Sequence, residues 1–240
     1  MSRVALVSGG TRGLGEAISL ALQGQGCRVA AIYRSDEAAA REFSGRSGIP
    51  VFCWDVGDFE ACGDGVRRVE QELGPIEVLV NNAGVTADGM LHKMTPQQWS
   101  CVIDTNLGSM FNMSRQVIEG MRERGFGRII NISSINGQKG QLGQCNYAAA
   151  KAGILGFTKA LALEVARKGI TVNAIAPGYC DTAMVAKVAP EVLQAIVAGI
   201  PVGRLGTPED IGRMVSFLAD DKAGFITGAT FNLNGGQYLG

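Results

Sequence analysis

The first residues of the chain combine a short apolar segment, a glycine-rich turn and a helical pattern. Val4 to Val7 predict a buried β-strand, Glu16 to Gln23 predict a helix, and the turn between them is Ser8-Gly-Gly-Thr-Arg-Gly-Leu-Gly15. Glycines in such a turn let the backbone approach a pyrophosphate, whose charge is met by the helix N-terminus. The unit favours a dinucleotide-binding fold, although its spacing G-x-x-x-G-x-G is a variant of the usual G-x-G-x-x-G. If the glycine-rich turn is considered alone, the alternative is a plain tight turn between a strand and a helix.

Apolar strands and helical patterns alternate along the rest of the chain. Strands are predicted over 28–33, 50–54, 76–80, 128–132, 171–175 and 230–233, and helices over 58–73, 96–122, about 147–167 and 208–218. This alternation predicts an α/β fold, a single-domain Rossmann-type doubly wound parallel sheet with helices on both faces, over residues 1–240. An amphipathic stretch over 182–199 interrupts the alternation, so residues about 180–205 are predicted to form a substrate lid.

The ends of the predicted strands form a candidate cofactor site. An acidic residue after the second strand would bind the ribose of NADH, whereas an arginine accommodates the 2′-phosphate of NADPH. Arg34 follows that strand and Arg12 lies in the glycine turn, which favours NADPH because arginine binds phosphate in a bidentate fork. Asp36 and Glu37 keep NADH open, and a solvated Arg34 is the structural alternative. The candidate cofactor residues at these ends are Gly9, Arg12, Gly13, Leu14, Gly15, Arg34, Asp55, Val56, Asn82, Ala83, Gly84, Pro177 and Gly178.

Tyr147 and Lys151 lie four residues apart in an alanine-rich segment that predicts a helix, so both side chains project from one face. An ammonium beside a phenol favours the phenolate, which predicts a lowered pKa for Tyr147. Ser134, thirteen residues earlier, would bring a hydroxyl to the same point. A Tyr-x-x-x-Lys pair alone also arises by chance. Asn106 interrupts a predicted helix among apolar neighbours and is predicted to hold a local break or a water.

Charge and residue patterns argue against several other functions. The chain has 22 basic and 22 acidic residues, which gives no electrostatic reason to expect nucleic acid or a membrane surface as a partner. It has no long apolar run and no signal-peptide pattern, so the cytoplasm is the expected location. Its six cysteines are scattered and include no C-x-x-C pair, which argues against a zinc site or a disulfide framework. His92 is the only histidine and has no visible triad partner, which favours a surface position over a role as general base.

In order and spacing, these motifs resemble the classical short-chain dehydrogenase/reductase family over essentially the whole chain. The resemblance rests on the Ser8 to Gly15 turn, Asn81-Asn-Ala-Gly84, Asn106, Ser134, Tyr147-x-x-x-Lys151 and Pro177-Gly178. Within the family, residues 136–147 and 85–88 are most similar to the NADPH-dependent acetoacetyl-CoA reductases of polyhydroxybutyrate synthesis. Ser8 stands where the family usually has threonine, but it keeps the hydroxyl. Leu142 and Cys145 also depart from the family pattern.

The resemblance implies NADPH-dependent reduction of acetoacetyl-CoA to 3-hydroxybutyryl-CoA by hydride transfer. It implies that Tyr147 donates the proton to the ketone oxygen, while Lys151 lowers the pKa of the phenol and binds the nicotinamide ribose. Both residues therefore also count as cofactor residues. Ser134 would hydrogen-bond the developing alkoxide, and Asn106 would hold a water that returns protons to the site. The neighbouring Ser133 is expected to be structural.

The substrate is the least constrained part of the prediction. Five residues lie in segments that should border the nicotinamide and are candidates for gripping a 3-oxoacyl group: Asp88, Gln141, Leu142, Gln144 and Tyr179. The alternative function is that of a 3-oxoacyl-acyl carrier protein reductase of fatty-acid synthesis. Five basic residues could bind the carrier protein or the phosphates of CoA: Arg122, Arg124, Arg128, Arg167 and Lys168. The alternative is that they are solvated charges at helix ends. A non-catalytic cofactor sensor is disfavoured because Tyr147 and Lys151 are both present.

Two predicted helices carry more apolar surface than one face of a sheet needs. They lie around residues 99–113 and 147–165. Such surfaces are typical of helices that pair across two-fold axes. The expected assembly is therefore a homotetramer.

Overall fold

The computed structural model of the chain describes residues 2–182 and 189–240. Its strands are β1 (Val4–Ser8), β2 (Arg28–Tyr33), β3 (Val51–Cys53), β4 (Ile76–Asn81), β5 (Gly127–Ile132), β6 (Ile170–Pro177) and β7 (Thr230–Leu233). They form one parallel sheet in the order β3-β2-β1-β4-β5-β6-β7. The order reverses between β1 and β4, and this switch point is where doubly wound sheets bind ligands. The predicted fold class is confirmed.

Helices cover both faces of the sheet. They are α1 (Gly13–Gly24), α2 (Glu37–Ser47), α3 (Phe59–Leu73), α4 (Pro96–Ile103), α5 (Ser109–Arg124), α6 (Asn136–Lys139), α7 (Cys145–Val165), α8 (Pro190–Ala198) and α9 (Pro208–Ala219). One core packs α3, α5 and α7 against the sheet, and a second core packs α1, α2 and α9 against the opposite face. Every residue of β5 and β6 is buried, as expected for parallel strands covered on both sides.

The helix predicted over 96–122 is divided by a π-helical turn. The turn spans Asp104–Gly108, between α4 and α5, and contains the fully buried Asn106. The predicted local break at Asn106 is therefore confirmed. Such turns are frequent at functional sites, because the wider turn displaces the backbone from its regular hydrogen bonds.

One helix was missed by the sequence-based prediction, and the predicted lid is only partly covered by the described residues. Helix α2 was not predicted, because it buries only Ala40 and Phe43 and so shows little apolar periodicity. The amphipathic stretch predicted over 182–199, and the lid about 180–205, include residues 183–188, which lie outside the described residues. Helix α8 occupies part of the remainder.

The Ser8 hydroxyl joins the ends of β1 and β4 at the switch point. The backbone N–H groups of Asn82 and Ala83 donate to Ser8 Oγ at 2.9 and 3.0 Å. Asn82 Nδ2 also donates to the Ser8 carbonyl at 2.9 Å. Because Ser8 is buried, water cannot easily replace these hydrogen bonds. The Ser8 hydroxyl, which a threonine at this position would also supply, thus helps to stabilise the fold.

Ser8→Ala removes the acceptor of two N–H groups and is expected to lower the free energy of unfolding by roughly 1–3 kcal/mol. Ser8→Thr keeps the hydroxyl and serves as the matched control, with a smaller expected loss. Urea unfolding followed by circular dichroism measures both variants. Equal losses for the alanine and threonine variants would argue that the hydroxyl does not stabilise the switch point.

Candidate active site

Two hydrogen bonds at Lys151 fix helix α7 to the end of β5. Ser133 Oγ donates to the backbone carbonyl of Lys151 at 2.8 Å, and Lys151 Nζ donates to the carbonyl of Ile132 at 2.8 Å. Lys151 is only 3% exposed. The end of the strand therefore holds both the backbone and the ammonium of this residue. Ser133 contacts the helix in the structural role expected for it.

Tyr147 lies one helical turn before Lys151 and is half-buried. Lys151 Nζ lies 5.6 Å from the centre of the tyrosine ring. Ser134, at the carboxyl end of β5, lies near enough to the phenol to influence its pKa, and its Oγ accepts the backbone N–H of Asn136 at 3.1 Å. The structure thus brings Ser134, Tyr147 and Lys151 to the carboxyl end of β5, and their catalytic roles stay predictions.

The protonation of the phenol differs from the sequence-based expectation. Burial raises the pKa of Tyr147, hydrogen bonding to Ser134 lowers it, and the Asp88 carboxylate raises it, so that the net shift is upward. The predicted lowering is therefore wrong for the folded chain, in which Nζ of Lys151 donates to a backbone carbonyl. Burial lowers the pKa of Lys151 itself to about 8. At neutral pH the site holds a protonated phenol beside an ammonium.

Asn106 holds the loop that follows β4. Its Oδ1 accepts the Val85 N–H at 2.8 Å, and its Nδ2 donates to the Val85 carbonyl at 2.9 Å. A Cβ on Gly84 would lie 3.3 Å from Asn106 Oδ1 and 3.5 Å from Lys151 Nζ, so glycine keeps the space beside the lysine open. The Asn106 amide thus shapes the site by binding backbone groups, and its water-holding role remains a prediction.

The glycine turn between β1 and α1 has the shape that a dinucleotide needs. Gly9 and Gly13 have φ of +61° and +55°, a region that favours glycine. A Cβ on Gly15 would overlap the Gly9 carbonyl oxygen. Leu14 packs partly buried against the core, and the exposed Arg12 precedes the helix. The first N–H groups of α1 are therefore accessible to a pyrophosphate, and these residues fit a nicotinamide dinucleotide.

The two arginines proposed to bind a phosphate each lie beside a carboxylate. Arg12 Nη1 lies 3.7 Å from Asp36 Oδ2, and Arg34 Nη1 lies 3.8 Å from Asp55 Oδ2. All four side chains are about half exposed or more, so these pairs contribute little to stability and can exchange for a ligand. The remaining predicted cofactor residues also lie at or just after the carboxyl ends of strands: Val56, Asn82, Ala83, Gly84, Pro177 and Gly178.

Two of the five predicted substrate residues bind each other. Gln144 Nε2 donates to Asp88 Oδ2 at 2.9 Å. Leu142 is 81% exposed and Gln141 is also exposed, so both side chains face solvent just before α7. Tyr179 follows β6 at the same edge of the sheet and is half-buried. The structure therefore groups Asp88 with Gln144 and leaves the other three as separate candidates.

Two arginines of the predicted basic patch hydrogen-bond to the backbone of the fold. Arg128 is only 3% exposed and donates to the carbonyls of Asp220 and Asp221. Arg124 donates to the carbonyl of Ile76 at 2.7 Å, where β4 begins. These arginines lie at the amino ends of the strands, whereas Ser134 and the glycine turn lie at the carboxyl ends. Arg128 therefore stabilises the fold and is not available to a carrier protein or to CoA.

A network of buried amides beneath the site was not predicted. The register pairs Asn81 on β4 with Asn131 on β5, and Asn81 Nδ2 donates to Asn131 Oδ1 at 2.9 Å. Asn131 Nδ2 donates to Thr158 Oγ1 on α7 at 2.9 Å. The network joins two strands to the helix that carries Tyr147. Its signal in the sequence is an asparagine near the end of two otherwise apolar strands.

The described part of the chain gives little support for a catalytic histidine, a metal site or a membrane-spanning helix. His92 lies exposed on a 3₁₀ helix (Leu91–Lys93). Within residues 2–182 and 189–240, no group of three or more His, Cys, Asp or Glu side chains is arranged to hold a metal ion. In the same ranges, no helix combines the length and the apolar character that crossing a membrane requires.

Comparison with known proteins agrees with the geometry of the site. Residues 9–237 match a family model described as enoyl-(acyl carrier protein) reductase. The chain belongs to the short-chain dehydrogenase/reductase family. It is therefore an oxidoreductase of the ketoreductase type, and the residues of its dinucleotide fold serve a nicotinamide nucleotide cofactor.

Relatives of this short-chain dehydrogenase/reductase match it over its full length. It is 62% identical over 240 residues to an acetoacetyl-CoA reductase of Shinella zoogloeoides and to another of Rhizobium meliloti (strain 1021), covering 100% of each chain. It is 42% identical over 239 residues to a 3-oxoacyl-[acyl-carrier-protein] reductase of Vibrio cholerae, covering 99% of this chain and 98% of the relative.

Lys151→Met removes the buried charge and is expected to change how stability depends on pH. The pKa of Lys151 is about 8 in the folded chain against an ordinary value of 10.5, so the unfolded chain binds more protons between these values. Relative to the variant, the unchanged protein should gain up to roughly 3 kcal/mol as pH rises from 8 to 10.5, and lose the same amount as pH falls from 10.5 to 8, with little further change below 8. Urea unfolding at several pH values measures this difference. Parallel pH profiles would contradict the burial of a titrating ammonium.

Proposed function

We propose that this short-chain dehydrogenase/reductase reduces acetoacetyl-CoA to 3-hydroxybutyryl-CoA with NADPH, as a step in polyhydroxybutyrate synthesis. The observation that carries the proposal is the meeting of Ser134, Tyr147 and the buried Lys151 ammonium at the end of β5. Two full-length relatives named acetoacetyl-CoA reductase share 62% identity with the chain, while the Vibrio cholerae 3-oxoacyl-[acyl-carrier-protein] reductase shares 42%. This difference favours a CoA thioester, and the carrier-protein thioester is the alternative.

The residues of the site suit reduction of a ketone. The chemistry that the bound cofactor supplies is transfer of a hydride to the carbonyl carbon. Tyr147, whose pKa is raised, remains protonated at neutral pH and donates its proton to the ketone oxygen. The Lys151 ammonium would stabilise the phenolate that this transfer leaves behind, and it would bind the nicotinamide ribose. Asn106 would hold the water that returns a proton to the phenol.

Ser134 is placed to act on the charge that develops during the reaction. Its Oγ already accepts the backbone N–H of Asn136 at 3.1 Å. A serine hydroxyl has one hydrogen to donate, and the bond from the Asn136 N–H uses only a lone pair of Oγ, so this hydrogen can be donated to another acceptor. Ser134 would therefore hydrogen-bond the ketone oxygen, and the bond strengthens as the oxygen becomes an alkoxide.

The preference for NADPH is proposed from the charges beside the glycine turn. Arg12 and Arg34 offer two guanidinium groups to a 2′-phosphate, which would replace their exposed carboxylate partners, Asp36 and Asp55. The same two carboxylates weaken the positive potential of the region. NADH is therefore expected to bind as well, but less tightly.

Exposed apolar side chains support the proposed homotetramer. Trp99 on α4, Phe111 on α5 and Leu163 on α7 are 41%, 55% and 85% exposed, and the Phe111 ring stacks on that of Phe59. Water-exposed apolar groups of this size favour burial against another chain. We also propose that the enzyme works in the cytoplasm, and that residues about 180–205 close over the substrate.

The unchanged protein is expected to give a higher kcat/KM with acetoacetyl-CoA than with acetoacetyl-acyl carrier protein. Tyr147→Phe should lower kcat/KM by roughly 10²- to 10⁴-fold, because it removes the proton donor. Steady-state loss of NADPH absorbance measures both, with His92→Ala as an active control. Preference for the carrier protein would support the alternative function, and full activity of Tyr147→Phe would rule out its role as proton donor.

Replacement of Arg12 and Arg34 by serine is expected to reduce the kcat/KM ratio of NADPH to NADH at least about tenfold per arginine, because a hydrogen bond to a charged group contributes roughly 1.5–3 kcal/mol. Activity with NADH should change little. Arg41→Ser is the matched control, since Arg41 is an exposed arginine that pairs with Glu37 within α2. An equal loss with both cofactors would indicate that the arginines support the fold and do not recognise the phosphate.

A further inference from the structure

A chain of hydrogen bonds runs from Asp88 to Ser134. Gln144 Nε2 donates to Asp88 Oδ2 at 2.9 Å, and Asn136 Nδ2 donates to Gln144 Oε1 at 3.0 Å. The backbone N–H of Asn136 then donates to Ser134 Oγ at 3.1 Å. The bonds join three segments of the chain: the loop after β4, the residue before α7 and the first residue of α6. Ser134, at the end of these hydrogen bonds, lies near Tyr147 and lowers the pKa of its phenol.

The Asp88 carboxylate sets the direction of the side-chain bonds. An ionised carboxylate can only accept, so Gln144 must turn its NH₂ group toward Asp88 and its carbonyl toward Asn136. Asn136 must then turn its own NH₂ group toward Gln144. Without a carboxylate at the end of the chain, either amide can reverse its two groups at little cost.

Backbone contacts on both sides hold Asp88 next to Gln144. The N–H of Gly89 donates to the carbonyl of Gly143 at 2.8 Å. The side chain of Asn146 donates to the carbonyl of Ala87 at 3.0 Å. The residues that flank Asp88 are thus bonded to the residues that flank Gln144. The pairing of Asp88 with Gln144 is therefore built into the packing of the two segments.

We propose that Asp88, Gln144 and Asn136 form a positioning relay, which holds Ser134 Oγ where its hydrogen can be donated to the keto oxygen of the substrate. The proposal rests on the ketone reduction proposed above, because it concerns how one of its hydrogen-bond donors is oriented. Asp88 and Gln144 were expected to bind the substrate. Because they hydrogen-bond each other, part of their hydrogen-bonding capacity is already occupied before a substrate binds. The Asp88 charge also acts on Tyr147, whose pKa it raises.

Steady-state kinetics with acetoacetyl-CoA and NADPH test the relay. Asp88→Ala and Asn136→Ala are each expected to lower kcat about five- to tenfold, with KM within about twofold, because Ser134 acts on the transition state. The double variant should be no slower than the slower single variant, since either change releases the same hydroxyl. In a Ser134→Ala background, Asp88→Ala should change kcat by less than about twofold.

Conservative variants separate positioning from a general loss of structure. Asp88→Asn keeps an oxygen that can accept from Gln144 but can also present its NH₂ group, so it is expected to recover only part of the kcat lost in Asp88→Ala. His92→Ala, on the neighbouring 3₁₀ helix, is the control and should keep full activity. A raised KM at unchanged kcat for Asp88→Ala, or a full additional loss in the Ser134→Ala background, would overturn the relay and assign these residues to direct substrate binding.

Hydrogen exchange tests the same relay without any substrate. Asp88→Ala is expected to speed exchange of the backbone amides in residues 136–144, including the Asn136 N–H that donates to Ser134, while His92→Ala should not. Unchanged exchange in Asp88→Ala would overturn the relay whatever the activity. If the unchanged protein failed to reduce acetoacetyl-CoA but showed this coupling, the proposed function would be refuted and the relay would stand.

Discussion

The burial of the Lys151 ammonium is the constraint on which the rest of the site depends. Moving an ammonium out of water costs several kcal/mol unless hydrogen bonds compensate it, and its pKa of about 8 reflects that cost. The carbonyl of Ile132 accepts from Nζ, while the Ser133 hydroxyl binds the carbonyl of the same lysine. These two bonds set the position of α7 against β5. Tyr147 and Ser134 then lie on adjoining elements at the carboxyl end of β5.

Polar residues at the carboxyl ends of the parallel strands surround the candidate site, whereas polar residues at the amino ends stabilise the fold. At the carboxyl edge, the Ser8 hydroxyl joins β1 to β4, and the Asn81–Asn131 pair joins β4 to β5. These polar groups use side-chain hydrogen bonds to fix the strand ends around the site. At the amino edge, the buried Arg128 binds carbonyls and so stabilises the fold. Because βαβ connections return each strand to the same direction, residues that are far apart in sequence meet at the reactive edge.

Local patterns were sufficient to predict the fold class and the meeting of Ser134, Tyr147 and Lys151, because periodicity and strand ends are encoded over a few residues. The upward shift in the pKa of Tyr147 was not predictable, since it depends on burial as well as on the neighbouring charge. Including Arg128 in the predicted basic patch was wrong for a similar reason, because the sequence does not tell what covers this residue. The hydrogen bond between Asp88 and Gln144 joins residues that are 56 positions apart, so no local sequence pattern indicates it.

The most direct test of the central claim is a crystal structure of the Tyr147→Phe variant with NADPH and acetoacetyl-CoA. This variant lacks the proton donor and should retain its substrate. We expect the keto oxygen to lie within hydrogen-bond distance of Ser134 Oγ, next to the aromatic ring at position 147 and on the side of α7 that carries Lys151. A ternary complex with the keto group bound away from the end of β5 would contradict it.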